Sequence, residues 1–504
     1  MSVSSEEILK SLEKNDPTYF SNCSVNTKYY GSGTFNVNSQ CNNGSTYFTW
    51  AVRKSNLQTI THLLAKGADI DKRELGGATP LLLAIYLNRL EIVQCLVRRG
   101  ADVKLRDSYE TPLTAAVQVG NLEMVEFLID NGADPNDCDI RGTPPLIKAI
   151  KENKLAIVDL FFKKQIGDVV VDSERNTPLV AAIRNNSSLD VIRCLLGHNV
   201  IVNFTKNEKT PLAWAALTGN VEVLQLLLSN KADINLVDRD GNTPLATAVQ
   251  YKQSEAAKFL TNNKANVCKE GEKGKSPLFW AVLNQDFEMI TWLLDHGAEY
   301  IVHKVFSIGI ETKNLEIVKL LKERGGFDLE NYDNGDEFPP LAVAIDSECV
   351  EIAKYLIENG QNVIYDLPQV DNLKVIEFLQ SGNIDMVKLL TENGARLNEY
   401  TYFGDTVFTT AVEMENFDMV KYFVDQGADV NKANEKGLTP LVLAKSSNNF
   451  QIFQYLVGCG AEISKEDENA NPTLARYYRM AQESIAKRRK VCYEGKSNQE
   501  EALD

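Results

Sequence analysis

A proline recurs along this chain at nearly constant intervals, and that regularity limits the fold more than any other feature. Thr-Pro or Ser-Pro followed by Leu stands at Pro80, Pro112, Pro178, Pro211, Pro244, Pro277 and Pro440. Pro145 and Pro340 fill the same slot inside Pro-Pro-Leu, and from Pro80 to Pro277 adjacent anchors lie 32 or 33 residues apart. Tyr47, Val305, Lys374 and Val407 occupy the slot in weaker units, which gives 13 units from about residue 37 to 465. A period of this size marks a stack of small units, none of which can bury its apolar face alone.

Each unit reads as two short helices and a turn. Threonine before the proline accepts a backbone N–H at the helix start, and proline in the first helical position gives up a donor that has no partner there anyway. The next Leu opens the buried face. Four residues after the proline slot comes a small residue: Ala51, Ala84, Ala116, Ala149, Ala182, Ala215, Ala248, Ala281, Ala344, Ala411 and Ala444. Small side chains in one register let neighbouring helices approach closely. A break such as Gly120-Asn121 precedes a second amphipathic run, of which Leu122–Ile129 is an example. Gly-Ala-Asp closes that run at Gly67, Gly100, Gly132 and Gly427, where glycine suits a left-handed cap. Turn chemistry follows, as in Asp240-Gly241.

Helix, turn, helix and hairpin at this period, with Thr-Pro-Leu followed by Ala, resembles the ankyrin repeat. The resemblance implies an all-α fold with short β-hairpin fingers: an ankyrin-repeat solenoid in which paired antiparallel helices stack and a finger projects from each unit at a right angle. It also implies that ligands meet the finger tips and the concave faces of the first helices. Two departures bear on stability. The family often has His two residues after the proline, whereas Leu82, Thr114, Ile147, Val180, Ala213, Ala246 and Phe279 stand there, so the hydrogen bonds of that histidine should be absent. Lys231 and Lys264 replace the closing glycine, and a positive φ at either would cost on the order of 1 kcal/mol.

The ends and the middle depart from the period. Residues 1–36 read as an N-terminal cap helix and loop, 37–297 as regular repeats, 298–375 as irregular repeats with a shortened finger, 376–465 as repeats again, 466–492 as a C-terminal capping helix and 493–504 as a disordered tail. The irregular stretch is expected because the step from Pro277 to Val305 is too short for a normal finger.

Composition excludes several function classes. The net charge of −16 opposes broad binding to a phosphate backbone and favours partners with basic or charge-asymmetric segments. The nine cysteines form no C-x-x-C pair, so a disulfide framework or clustered zinc site is not expected. This usage, an acidic N-terminus without an apolar core, and no run near the ~20 apolar residues of a membrane span lead to the expectation of a monomeric cytoplasmic protein. Lys487, Arg488, Arg489 and Lys490 resemble a short nuclear-import signal, although cations also complement the dipole of a helix C-terminus.

No catalytic set emerges. His62, His198, His296 and His303 are joined by no motif to a nucleophile or to metal ligands. Gly274-Lys275-Ser276 looks like the end of a phosphate loop, but Lys269 stands where that loop needs its first glycine. No cofactor or metal is expected, and the repeats leave too little chain for a separate catalytic module. The expected function is a non-enzymatic scaffold or adaptor that grips a partner protein; a regulatory or substrate-recruiting subunit of a larger enzyme assembly is the alternative.

Offsets from the proline slot locate the candidate contact residues. At +3 stand Trp50, Trp214 and Trp280. At +6 the order is Arg53, Tyr86, Gln118, Lys151, Arg184, Leu217, Gln250, Leu283, Glu311, Asp346, Gln380, Glu413 and Ser446, with the bases early and the acids late. Tyr251 follows the Gln250 slot. Finger aromatics are Tyr109, Tyr332, Phe338, Tyr365, Tyr400, Tyr402 and Phe403. The predicted partner-binding set is Arg53, Tyr86, Tyr109, Lys151, Arg184, Trp214, Leu217, Tyr251, Trp280, Tyr332, Phe338, Tyr400, Tyr402 and Phe403.

Overall fold

A computed structural model describes residues 37–500, apart from 39, 41–44, 55–56, 167–169, 172, 199, 204–208, 272–273, 299–301, 327–328, 330–338, 362–371, 402–403 and 464–471. The expected N-terminal cap (1–36) lies outside the described residues. The described chain holds 27 helices: 13 pairs and a terminal helix, Pro472–Glu500. Packing divides it into two compact units, Met1–Pro277 and Leu278–Asp504. Within each, first helices pack on first helices of adjoining repeats and second helices on second helices.

The proline slot starts eleven of the thirteen first helices, and eight threonines cap them, Thr46 among them. Thr79, Thr111, Thr177, Thr210, Thr243, Thr406 and Thr439 each accept from the N–H three residues on. Where proline replaces the cap, at Pro144 and Pro339, that bond is missing. The absent histidine is replaced in part. Thr49, Thr114 and Thr409 occupy its slot and bond reciprocally with Thr46, Thr111 and Thr406, for example Thr111 N to Thr114 Oγ1 at 2.9 Å and Thr114 N to Thr111 Oγ1 at 3.1 Å. Second helices take Asn caps, as at Asn121, Asn220, Asn416 and Asn449.

All eleven alanines of the small slot have zero exposure, and the residue after the proline is equally enclosed, from Leu81 to Leu441. The Val305 unit carries Gly309 in the small slot, where an added Cβ would lie 2.8 Å from Leu321 Cδ1. The slot thus carries a methyl group in eleven units and a hydrogen in one, while the Lys374 unit places Phe378 there, 4% exposed.

The fingers differ from expectation in one respect. Among the described residues they hold turns and no sheet; a single bridge, Gln40 to Thr46, is the only strand pairing. An acid or amide at the head of the turn takes the bonds that a ladder would use. Asp238 Oδ1 accepts from Asp240 N at 3.0 Å and Asn242 N at 2.8 Å, while only Asp238 N to Asn242 O spans the turn in the ladder manner. Asp107, Asp139 and Asn434 act alike. Gly274 closes a turn of the same backbone pattern, its N–H donating to Gly271 O while Gly271 N donates to Lys275 O, but its head residue is glycine and offers no side-chain acceptor.

Side chains join one repeat to the next. Asn398 donates to Gly427 O and accepts from Asp429 N at 2.8 Å; Asn431 repeats this with Gly460 O and Glu462 N, and Asn203 with Lys231 O and Asp233 N. In the irregular stretch the helix Val302–Glu311 begins ahead of the Val305 slot, which leaves only 296–301 after the helix Phe287–Asp295. The terminal helix seats Leu474, Ala475 and Ala481 in the core, and Tyr477 donates to Asn448. It runs to Glu500, so the stretch from 493 expected to be a disordered tail is helical up to that residue. Glu494, Lys496, Gln499 and Glu500 favour helix there and no proline follows Pro472, against the weaker Gly495, Ser497 and Asn498.

Lys231 and Lys264 hold φ of 66° and 69°, the left-handed region anticipated from the sequence. Lys231→Gly and Lys264→Gly should each stabilise the fold by about 1 kcal/mol or slightly less in urea unfolding followed by circular dichroism. Ala248→Leu should lower stability by about 2–3 kcal/mol in the same assay, because a row at zero exposure has no room for three more carbons.

Candidate protein-binding surface

The +6 residues of the first unit, Arg53 to Gln250, occupy equivalent positions on consecutive stacked helices. Arg53, Tyr86, Gln118, Lys151 and Arg184 are exposed, and Leu217 and Gln250 are half-buried. In the second unit Leu283, Glu311, Asp346, Gln380, Glu413 and Ser446 are all exposed. The slot thus faces solvent in both.

Its bases are largely neutralised in place. Arg53 Nη2 lies 2.5 Å from Glu74 Oε2 in the finger of the following repeat, and Arg184 pairs with Glu174. On the same helix as Lys151, the enclosed Lys148 pairs with Glu110 at 2.5 Å, with Gln118 Oε1 accepting from Lys148 Nζ at 3.0 Å. In the second unit Asp346 meets Lys374 at 3.2 Å. Finger carboxylates therefore mute the positive potential that the first-unit sequence alone would suggest.

The aromatic candidates divide by burial. Trp50 is fully enclosed and is a packing residue. Trp214 is half-buried, with the Arg184 guanidinium 4.6 Å from its ring centroid, a cation–π cover contributed by the preceding repeat. Beside it a cleft of 190 Å³ is lined by Lys151, Glu174, Asn176, Ala181, Arg184 and Asn185. Tyr251 is 46% exposed at the end of the neighbouring first helix. In the second unit Trp280 is half-buried and meets Phe279 edge-on at 5.3 Å.

At the finger tips Tyr109 is 66% exposed, and its carbonyl accepts from Ile140 N at 2.9 Å. Tyr400 is exposed beneath the Lys432 ammonium, 4.6 Å from its ring centroid. Tyr332, Phe338, Tyr365, Tyr402 and Phe403 lie outside the described residues. Sequence reasoning missed Leu75 and Ile140, which are 75% and 61% exposed at finger tips of the first unit. Their signal was available: an apolar residue inside a polar Gly-bearing turn has no core to join.

In the first unit Lys151 and Arg184 thus line one cleft and Arg184 covers Trp214, while Tyr251 stands exposed one repeat on. Among the described residues no helix is long and apolar enough to cross a membrane, and the six cysteines described are free thiols.

Tyr86 illustrates how the fingers hold this face. Its hydroxyl donates to Asp107 Oδ2 at 2.8 Å, and burial first, then that bond and the charges of Asp107 and Glu110, push its pKa well above the usual tyrosine value. Above pH of about 10 the unfolded chain loses this proton before the folded one, so the unfolded state binds fewer protons and stability falls as pH rises. Asp107→Asn should make that alkaline decline shallower, measured as the difference between urea midpoints at neutral pH and at pH about 11. An unchanged difference would separate Tyr86 from Asp107.

Comparison with known proteins matches a family model for ankyrin repeats (3 copies) to residues 22–107, 105–172, 146–238, 230–304 and 376–467, well over half of the chain. An ankyrin repeat protein of fowlpox virus (strain NVSL), FPV031, is 31% identical over 187 residues, which is 36% of this chain and 46% of that protein. A second fowlpox virus ankyrin repeat protein, FPV222, is 36% identical over 174 residues, 34% of this chain and 23% of its own length. The matched part thus spans less than half of either relative. Among solved structures, the ankyrin repeat domain of Bcl-3 aligns over 44% of this chain and 99% of that domain, with 21% identity and a TM-score of 0.39.

Proposed function

Because the chain belongs to the ankyrin repeat family, whose repeats are in general protein–protein interaction modules, we propose that it is a non-enzymatic scaffold that binds a partner protein across its first-helix faces and finger tips. The observation that carries this reading is the placing of aromatic and apolar side chains where a packed array has no structural use for them. Tyr251, Tyr109, Leu75 and Ile140 stand exposed on elements whose backbones are fixed by caps and inter-repeat bonds. Rigid display of this kind loses little conformational entropy on binding, and aromatic anchors dominate interface energetics.

The ion pairs on the +6 row refine the expected partner. Arg53 and Arg184 already have carboxylate neighbours, so a strongly acidic ligand gains little from them. A segment with apolar or aromatic side chains spaced to meet successive fingers suits the surface better, and the net charge of −16 gives basic flanks a modest advantage in encounter. Arg184, held by Glu174, covers the Trp214 ring, so this pair would meet a partner mainly through packing.

The test begins with capture of partners by the full chain and their identification by mass spectrometry. Affinity for the purified partner is then compared by calorimetry for wild type, Trp214→Ala, Tyr251→Ala and Trp280→Ala, with Glu222→Ala on a second helix as control. Loss of about 10-fold or more in the Trp214 and Tyr251 variants, with helix content and melting retained, is the expected result. Undiminished binding in all three would place the contact surface elsewhere.

A further inference from the structure

The helices Leu155–Lys163 and Leu189–Gly197 are second helices of consecutive repeats. They bring together three side chains that the scaffold reading does not use. Asp159, Cys194 and His198 each present one ligand-type atom, all within 4.8 Å of one another. Cys194 and His198 are one helical turn apart, a spacing that puts thiol and imidazole on the same face. Asp159 comes from the adjoining repeat, with its Oδ1 3.0 Å from His198 Nε2. The Phe162 ring stacks on the imidazole at 5.0 Å with 11° between planes, which fixes the ring's orientation. Lys163 Nζ lies 2.5 Å from the other carboxylate oxygen of Asp159, so Oδ1 is the oxygen turned toward the histidine.

We propose that Asp159, Cys194 and His198 form a binding site for a divalent ion of the zinc class, bridging two consecutive repeats. Three observations support it. The donor set of thiolate, imidazole and carboxylate is the one zinc takes, whereas calcium and magnesium require oxygen donors. A tetrahedral ion with bonds of about 2.0–2.3 Å separates its ligand atoms by roughly 3.3–3.7 Å. The observed separations, from 3.0 Å to no more than 4.8 Å, bracket that range, so side-chain rotation suffices and no helix need shift. Asp159 and His198 are about one-third exposed, at 32% and 29%, so an ion can reach them from solvent, and the fourth position falls to water.

Binding releases one proton: the Cys194 S–H bond is exchanged for a sulfur–metal bond and the proton goes to solvent. Lys163 weakens the site as a neighbouring cation, but its side chain is 68% exposed and can turn outward. Sequence reasoning assigned no metal because no motif joins His198 to other ligands, and Asp159 arrives only through the stacking of repeats.

The test uses the full chain, reduced and stripped by a chelator, titrated with Co²⁺ as a spectroscopic stand-in for Zn²⁺. The expected result is one equivalent bound with a sulfur-to-cobalt charge-transfer band and the intense visible bands of a tetrahedral ion, both abolished by Zn²⁺. Cys194→Ser should remove the charge-transfer band, and His198→Gln should weaken affinity by about 10-fold or more. Asp159→Asn, which retains the thiol, should keep the band while affinity falls. Circular dichroism of each metal-free variant checks that the helices persist. A band that survives Cys194→Ser, unchanged affinity in His198→Gln or Asp159→Asn, or no band in wild type would overturn the proposal and leave an ordinary surface ion pair.

Discussion

The structure depends on how closely first helices of adjoining repeats can approach. Helices such as Pro80–Tyr86 or Pro244–Gln250 span about two turns, too short to persist alone in water. Their stability comes from neighbours, and in twelve of the thirteen units the fourth residue past the proline slot is Ala or Gly, which lets neighbours come near; Phe378 is the exception. A methyl group at zero exposure in one repeat after another sets the distance at which the flanking leucines interlock. Each repeat then supplies half of the next one's core, and cooperativity follows from that sharing rather than from the strength of any helix.

Around this row, polar groups settle the directions in which the chain leaves each helix. Threonine caps fix the start of the first helix and Asn caps the start of the second. The turns between are held by single residues at positive φ: Gly120 and Gly219 in some units, Asn88, Lys252 or Glu415 in others. The stitches at Asn203, Asn398 and Asn431 then tie each finger base to the next repeat. These bonds add order where apolar burial is thin, at the foot of fingers that have no sheet to hold them.

The fold was legible in the sequence where one residue type had one possible reason to recur. Thr-Pro-Leu followed by Ala could be read because cap, first turn, core face and close approach each demand a different chemistry. The fingers were less legible: Asp-Gly promises a hairpin, but the same aspartate caps the turn from inside, and an alphabet of residues does not say which bond prevails. Burial within one slot was also hidden. Trp50 and Trp214 share the +3 position, yet one is enclosed and the other is half-open beneath Arg184. That difference lies with residues a full repeat away. The same holds for Asp159 beside His198 and Glu74 beside Arg53. Contacts between repeats are local in space but some 20 to 40 residues apart in the chain, so a reading by residue spacing sees the slots and not their pairings.

This separation of slots bears on function. The positions that hold the array together, the cap, the proline, the leucine and the alanine, point inward and are chemically uniform from unit to unit. The +6 row and the finger tips are mostly exposed and vary in chemistry, from Arg53 and Lys151 to Leu283 and Glu413. Changing Tyr86 or Tyr251 alters a surface without altering the helix spacing beneath it, whereas changing Ala84 or Ala248 alters the spacing itself. Charge on the outer row is moderated by finger carboxylates, as Glu74 does for Arg53 and Glu174 for Arg184. Variation in the array is therefore confined to side chains that the packing does not use, while the positions that set helix spacing hold to small or apolar residues in most units.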